Sequence, residues 1–139
     1  MIFKIINKSD LELSKMKPYL NSFLPFAQTK MGFNRPPSIS FVSDQTNADK
    51  MLGKTAFYDP NQDSVVIYTD GRHPKDILRS ISHELVHHTQ NCDGKFDNKP
   101  EVGEGYFQNN EYMKEMEREA YEKGNMTFRD WEETHKKQL

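Results

Sequence analysis

An α+β fold follows from three features of the sequence. The β-prone runs fall within the first 70 residues, one central segment carries apolar residues at helical spacing, and the C-terminal part has helical periodicity without β-prone runs. These predict a small mixed or antiparallel sheet packed on the central helix, followed by a C-terminal helical part. No internal repeat or linker interrupts residues 1–139, so the chain reads as one domain.

In chain order, residues 2–6 form a short strand. Ser9, with Glu12 three residues on, is a plausible N-cap for a helix through Leu13, Met16, Leu20, Phe23 and Leu24, in which Pro18 and Pro25 predict a kink or an early stop. Asn34-Arg35-Pro36-Pro37 breaks that helix, residues 38–42 alternate as a strand, and residues 43–50 are a polar loop. Residues 54–58 and 64–69 are β-prone runs around Asp59-Pro60-Asn61-Gln62-Asp63, whose turn residues predict a hairpin.

The central helix should span residues 73–92, with Pro74 at its first position, Asp76 in its first turn and Gly94 beyond its end. Residues 93–105 are a loop carrying Pro100, Gly103 and Gly105. A helix over 108–123 ends at Gly124, and a last one, capped by Thr127 with Asp130 in its first turn, turns Phe128 and Trp131 inward.

The central helix holds the chemistry. His83-Glu84-Leu85-Val86-His87 is an H-E-x-x-H pattern, and residues four apart on a helix sit about 6 Å apart along the axis and roughly 40° apart around it. His83 and His87 therefore project side by side and can hold one Zn²⁺, with Glu84 placed to act as a base toward water on the metal. Ile77, Leu78, Ile81 and Leu85 form a stripe on the other side, so the helix has a core face and a separate polar face.

Catalytic zinc takes three protein ligands, so a third is required. In the next helix Met113, Met116, Ala120 and Gly124 make an apolar stripe and Glu117 falls within it, whereas Glu115, Glu119 and Glu122 line the polar flank. An acid on an apolar face needs a partner, and a metal is a strong one. Glu117 is the predicted ligand and Glu119 the fallback, since an inferred helix rotation can slip by a residue. Cys92 reads as a half-buried, inert thiol, Asp93 as a turn residue lacking the glycine such a ligand turn uses, and His88 as a surface group or a supporter of the ligands.

Composition excludes several other functions. The formal net charge is −2 with acids and bases interspersed, which leaves no basic footprint for nucleic acid or an anionic membrane. Cys92 is the only cysteine, ruling out a disulfide framework and a thiolate-rich metal site. With a mean hydropathy of −0.91, the nine Phe and six Tyr must supply much of the buried area. No apolar run is long enough for a signal peptide or membrane span, which predicts a cytoplasmic protein.

The segment His83-Glu84-Leu85-Val86-His87-His88-Thr89-Gln90, followed by Glu117-Arg118-Glu119-Ala120, resembles the core of gluzincin-type zinc metallopeptidases. It is similar to small stand-alone metallopeptidase-like proteins of bacteria and tailed phages over residues 54–125, whereas the N-terminal 50 residues lie outside the resemblance. The resemblance implies a minimal zincin-like fold whose edge strand pairs with an extended peptide. It also implies one zinc ion on His83, His87 and Glu117, Glu84 as general base, and a peptide or protein as substrate, in the cytoplasm or, for a phage protein, in the host cytoplasm or virion. The chain departs from that pattern at Tyr121, where many relatives have an aspartate that supports a histidine ligand. Tyr106, Tyr112, Tyr121 and His135 are the candidates for stabilising an oxyanion. The alternative is a zincin-like domain used for binding within a larger assembly, which the presence of Glu84 disfavours, because a structural site needs no base.

Overall fold

A computed structural model describes residues 1–44, 55–96 and 111–135. The predicted onset of the C-terminal helix at residue 108, Tyr106, Lys54 and most of the two predicted loops lie outside the described residues. The described elements are β1 (Lys4–Lys8), α1 (Leu13–Met31), β2 (Ser38–Val42), β3 (Ala56–Asp59), β4 (Ser64–Tyr68), α2 (Pro74–Cys92) and α3 (Glu111–His135). The fold is α+β, with a four-stranded mixed sheet in the order β1-β2-β4-β3.

The topology follows from the connections. β1 and β2 are joined through α1, and a helical crossover of that length returns the chain parallel to itself, so Ile5 pairs with Ile39 and Asn7 with Phe41. β4 also lies parallel to β2, with Ile39 opposite Val65 and Phe41 opposite Ile67. The predicted hairpin brings β3 back antiparallel on the far side of β4, from Ala56 opposite Ile67 to Asp59 opposite Ser64. Period-two alternation puts Ile39, Phe41, Val65 and Ile67 on one face, all fully buried.

That face is covered by α2, which packs on β3 and β4, while α1 and α3 close around it. Ile77, Leu78, Ile81 and Leu85 point into the core as their spacing predicts, each contributing roughly 1.5–3 kcal/mol by leaving water. The predicted ends of α2 also hold: His73 is the N-cap and its Nδ1 accepts from the Lys75 amide at 3.0 Å, Pro74 opens the helix, and Gly94 follows with φ 80°.

Four expectations need correction. The strand expected at residues 2–6 lies at Lys4–Lys8. Ser9 does not cap α1; its hydroxyl donates to Oδ1 of Asn7 at 2.6 Å, and the N-cap is Glu12 without a side-chain bond. Neither Pro18 nor Pro25 stops α1, which runs to a left-handed Gly32. Each proline deletes one helical bond, to the carbonyl of Ser14 or Asn21, and all four residues are exposed, so water reaches the freed groups.

The fourth correction bears on the site. The two expected C-terminal helices are one, because Gly124 and Thr127 lie buried inside α3 instead of punctuating it. Met113, Met116, Ala120, Gly124, Thr127, Phe128 and Trp131 form a single buried stripe, and packing along it outweighs the ~1 kcal/mol that an interior glycine costs a helix. Trp131 donates its indole N–H to Ser22 Oγ at 2.9 Å, tying α3 to α1. No described helix is long and apolar enough to cross a membrane.

Candidate metal centre

Helix geometry brings His83 and His87 to the same side of α2, with ring centroids 5.2 Å apart. α3 crosses this surface at Gly124, whose missing Cβ is the reason the helices approach so closely. A Cβ there would lie 2.9 Å from the Cα of His83, and Ser82 Oγ donates to the Gly124 carbonyl at 2.6 Å. Glu117, two turns before Gly124 on the same side of α3, is thereby set over the histidine pair.

Its carboxylate spans both rings, with Oε1 2.6 Å from His83 Nε2 and Oε2 3.1 Å from His87 Nε2. Those two hydrogen bonds hold the Glu117 carboxyl well below the usual carboxylate range. The side chain is 49% exposed, so the premise that Glu117 lies inside the apolar stripe is corrected. It stands on the rim of that stripe, where α3 leaves the core and faces α2. Glu119, the fallback, is turned elsewhere: its Oε1 accepts from Gln90 Nε2 at 3.0 Å and lies 3.3 Å from Lys95 Nζ.

Glu84 is buried beside the pair, and its Oε2 has no hydrogen-bond partner among the described residues. Desolvation pushes its pKa up, against the pull of His87 and His83, and the charge of Glu117 adds to the rise. His83, Glu84 and His87 offer donor atoms that all lie within 4.8 Å of one another. An unsatisfied buried carboxylate oxygen costs about 1–3 kcal/mol, so a water or ion is expected to meet it. Two imidazole nitrogens converging with carboxylate oxygen are the donor set that suits Zn²⁺, and the residues present fit such an ion.

His87 is buried, and its Nδ1 lies 2.8 Å from Oε1 of Gln90. Burial works against its charged form, but the hydrogen bond to Glu117 and the charge of Glu84 prevail and raise its pKa. Gln90 is not among the residues that the sequence pattern singles out as part of the site. Its place three residues after His87, on the same side of the helix, was the available signal.

His88 is neither a surface group nor a supporter of the ligands. It is fully buried on the sheet side of α2, with Nδ1 2.8 Å from Tyr58 Oη and Nε2 2.7 Å from the Arg35 carbonyl oxygen. Enclosure of α2 between sheet and α3 leaves it little solvent face. Cys92 is half-buried, with Sγ 3.6 Å from His88 Nε2, and Asp93 is an exposed cap. Among the oxyanion candidates, Tyr121 stands edge-on to His83 with centroids 5.9 Å apart. Tyr112 donates its hydroxyl to the Lys95 carbonyl, and His135, stacked on Trp131, is about 27 Å further along α3 than Glu117. No family model, curated protein or solved structure is significantly similar to this chain.

Proposed function

We propose that the protein is a zinc-dependent peptide hydrolase of gluzincin type, with His83, His87 and Glu117 holding the ion and Glu84 as general base. The observation that carries this reading is the meeting of a buried carboxylate oxygen without a hydrogen-bond partner among the described residues with two imidazoles that a second carboxylate spans. A zinc ion held there would supply a Lewis acid for the scissile carbonyl and acidify water.

The protein's own groups account for the rest. Glu84, whose pKa burial raises above the usual carboxylate value, suits a group that takes a proton and then hands it to the leaving amine. A structural site would have no use for a base in that position. β3 is an edge strand among the described residues, and an extended peptide pairing with it would run along the sheet that α2 supports. Tyr121, one turn after Glu117 on the same side of α3, is the described candidate that stands against His83 and could donate to a developing oxyanion.

Elemental analysis together with cleavage of an unfolded protein, with and without chelator, tests this. Glu84→Gln should keep zinc and lose hydrolysis by ~10²–10⁴-fold, whereas His83→Ala should lose both. A Glu84→Gln protein as active as the wild type would refute the mechanism.

A further inference from the structure

A neutral histidine binds a metal through the nitrogen that carries no proton, and the hydrogen bond made by the other nitrogen decides which one that is. For His87 the partner of Nδ1 is the Gln90 amide, which can present either an accepting oxygen or a donating NH₂. The rotation of that amide therefore selects the tautomer.

α3 fixes the rotation. Gln90 Nε2 lies 2.9 Å from the Met116 carbonyl oxygen and 3.0 Å from Glu119 Oε1. A backbone carbonyl can only accept, and Glu119 stands 3.3 Å from the ammonium groups of both Lys95 and Lys123, as an acceptor does. Both neighbours accept, so the NH₂ must face them. The amide oxygen, 2.8 Å from His87 Nδ1, must then accept the imidazole proton. Nε2 is left with a lone pair toward Glu117 Oε2, 3.1 Å away, and two acceptors so opposed call for a proton or a cation between them.

We propose that Gln90 is a positioning residue for the metal centre: its amide, oriented by Glu119 and the Met116 carbonyl of α3, holds His87 as the Nδ1–H tautomer with Nε2 free to ligate. The inference rests on reading the site as a zinc centre. Gln90 is 1% exposed, so water does not compete for the bond.

Long-range ¹H–¹⁵N spectra of the metal-free protein, at a pH where His87 is neutral, and zinc competition against a chromophoric chelator test this together. The wild type should show a protonated Nδ1 and a bare Nε2 on His87. Gln90→Met, matched in length but without polar atoms, should lose that signature and bind zinc ~10–100-fold more weakly with its circular dichroism unchanged. The exchanged pair Gln90→Glu with Glu119→Gln restores an acceptor on Nδ1 backed by a donor at position 119 but leaves the Met116 carbonyl without its donor, so it should recover the tautomer in full and the zinc affinity in part. A wild-type His87 protonated on Nε2, or a Gln90→Met protein with wild-type tautomer and zinc affinity, overturns the proposal. If the wild type takes up no zinc, the reading of the site falls, and the spectra still decide the role of Gln90. Should Gln90→Met not fold, the wild-type spectrum and the exchanged pair decide it.

Discussion

Glu117 joins two properties that rarely coincide, a half-exposed carboxylate and hydrogen bonds to two imidazoles. Exposure alone would make it a weak ion-pair partner, worth at most about 1 kcal/mol on a solvated surface. Its value to the site is geometric, since it stands 2.6 Å and 3.1 Å from the two nitrogens that would bind a metal. Glu117→Gln preserves the side-chain shape and should leave the fold intact. It should weaken zinc binding by more than the ~10–100-fold expected of a supporting group, as measured by chelator competition. Glu119→Gln should fall within that smaller range. If the two variants ranked in the opposite order, Glu119 would be the ligand.

Between elements, the crossing of α2 and α3 at Gly124 governs how far Glu117 stands from the histidines. Alanine is favoured over glycine within a helix by about 1 kcal/mol, so propensity alone predicts that Gly124→Ala stabilises. The added methyl would lie 2.9 Å from a backbone atom of His83, which cannot rotate away. Overpacking of this kind costs typically 1–3 kcal/mol, and a rigid neighbour places it at the upper end. The expected result is a lower melting temperature with weaker zinc binding, because the strain separates the helices that carry the ligands. A raised melting temperature would mean that the crossing can relax.

At the scale of the whole molecule, one polar network ties the connection before β2, the β3–β4 turn and the end of α2 together. Arg35 Nε donates to Asp63 Oδ2 at 2.6 Å, Asn91 Nδ2 donates to Asp63 Oδ1 at 2.8 Å and to Tyr58 Oη at 3.0 Å, and Tyr58 meets His88. The Arg35 guanidinium holds the Asp63 carboxyl below its usual range. Because the folded pKa is depressed, the stabilisation is complete above the ordinary aspartate pKa of about 3.9 and is lost as the pH falls from there through the folded value. Asp63→Asn should therefore be less stable than the wild type at pH 7, by about 1 kcal/mol or less. The gap should close on acidification below about pH 4, as read by urea unfolding at both pH values. A gap independent of pH would show that the charge of Asp63 contributes nothing.

Local periodicity was enough to find the helix of His83 and His87, its core residues, its ends, the β3–β4 hairpin and the acid-rich helix that follows, because each depends on residues within a few positions of one another. That Glu117 stands beside the histidine pair could also be read there, although on a premise of burial that the fold does not keep. Long-range packing decided the rest. It carried α1 through two prolines and α3 through Gly124, buried His88 against Tyr58, and turned Gln90 between His87 and Glu119. Those outcomes rest on contacts between residues distant in the chain, whose energies exceed the local preferences that opposed them.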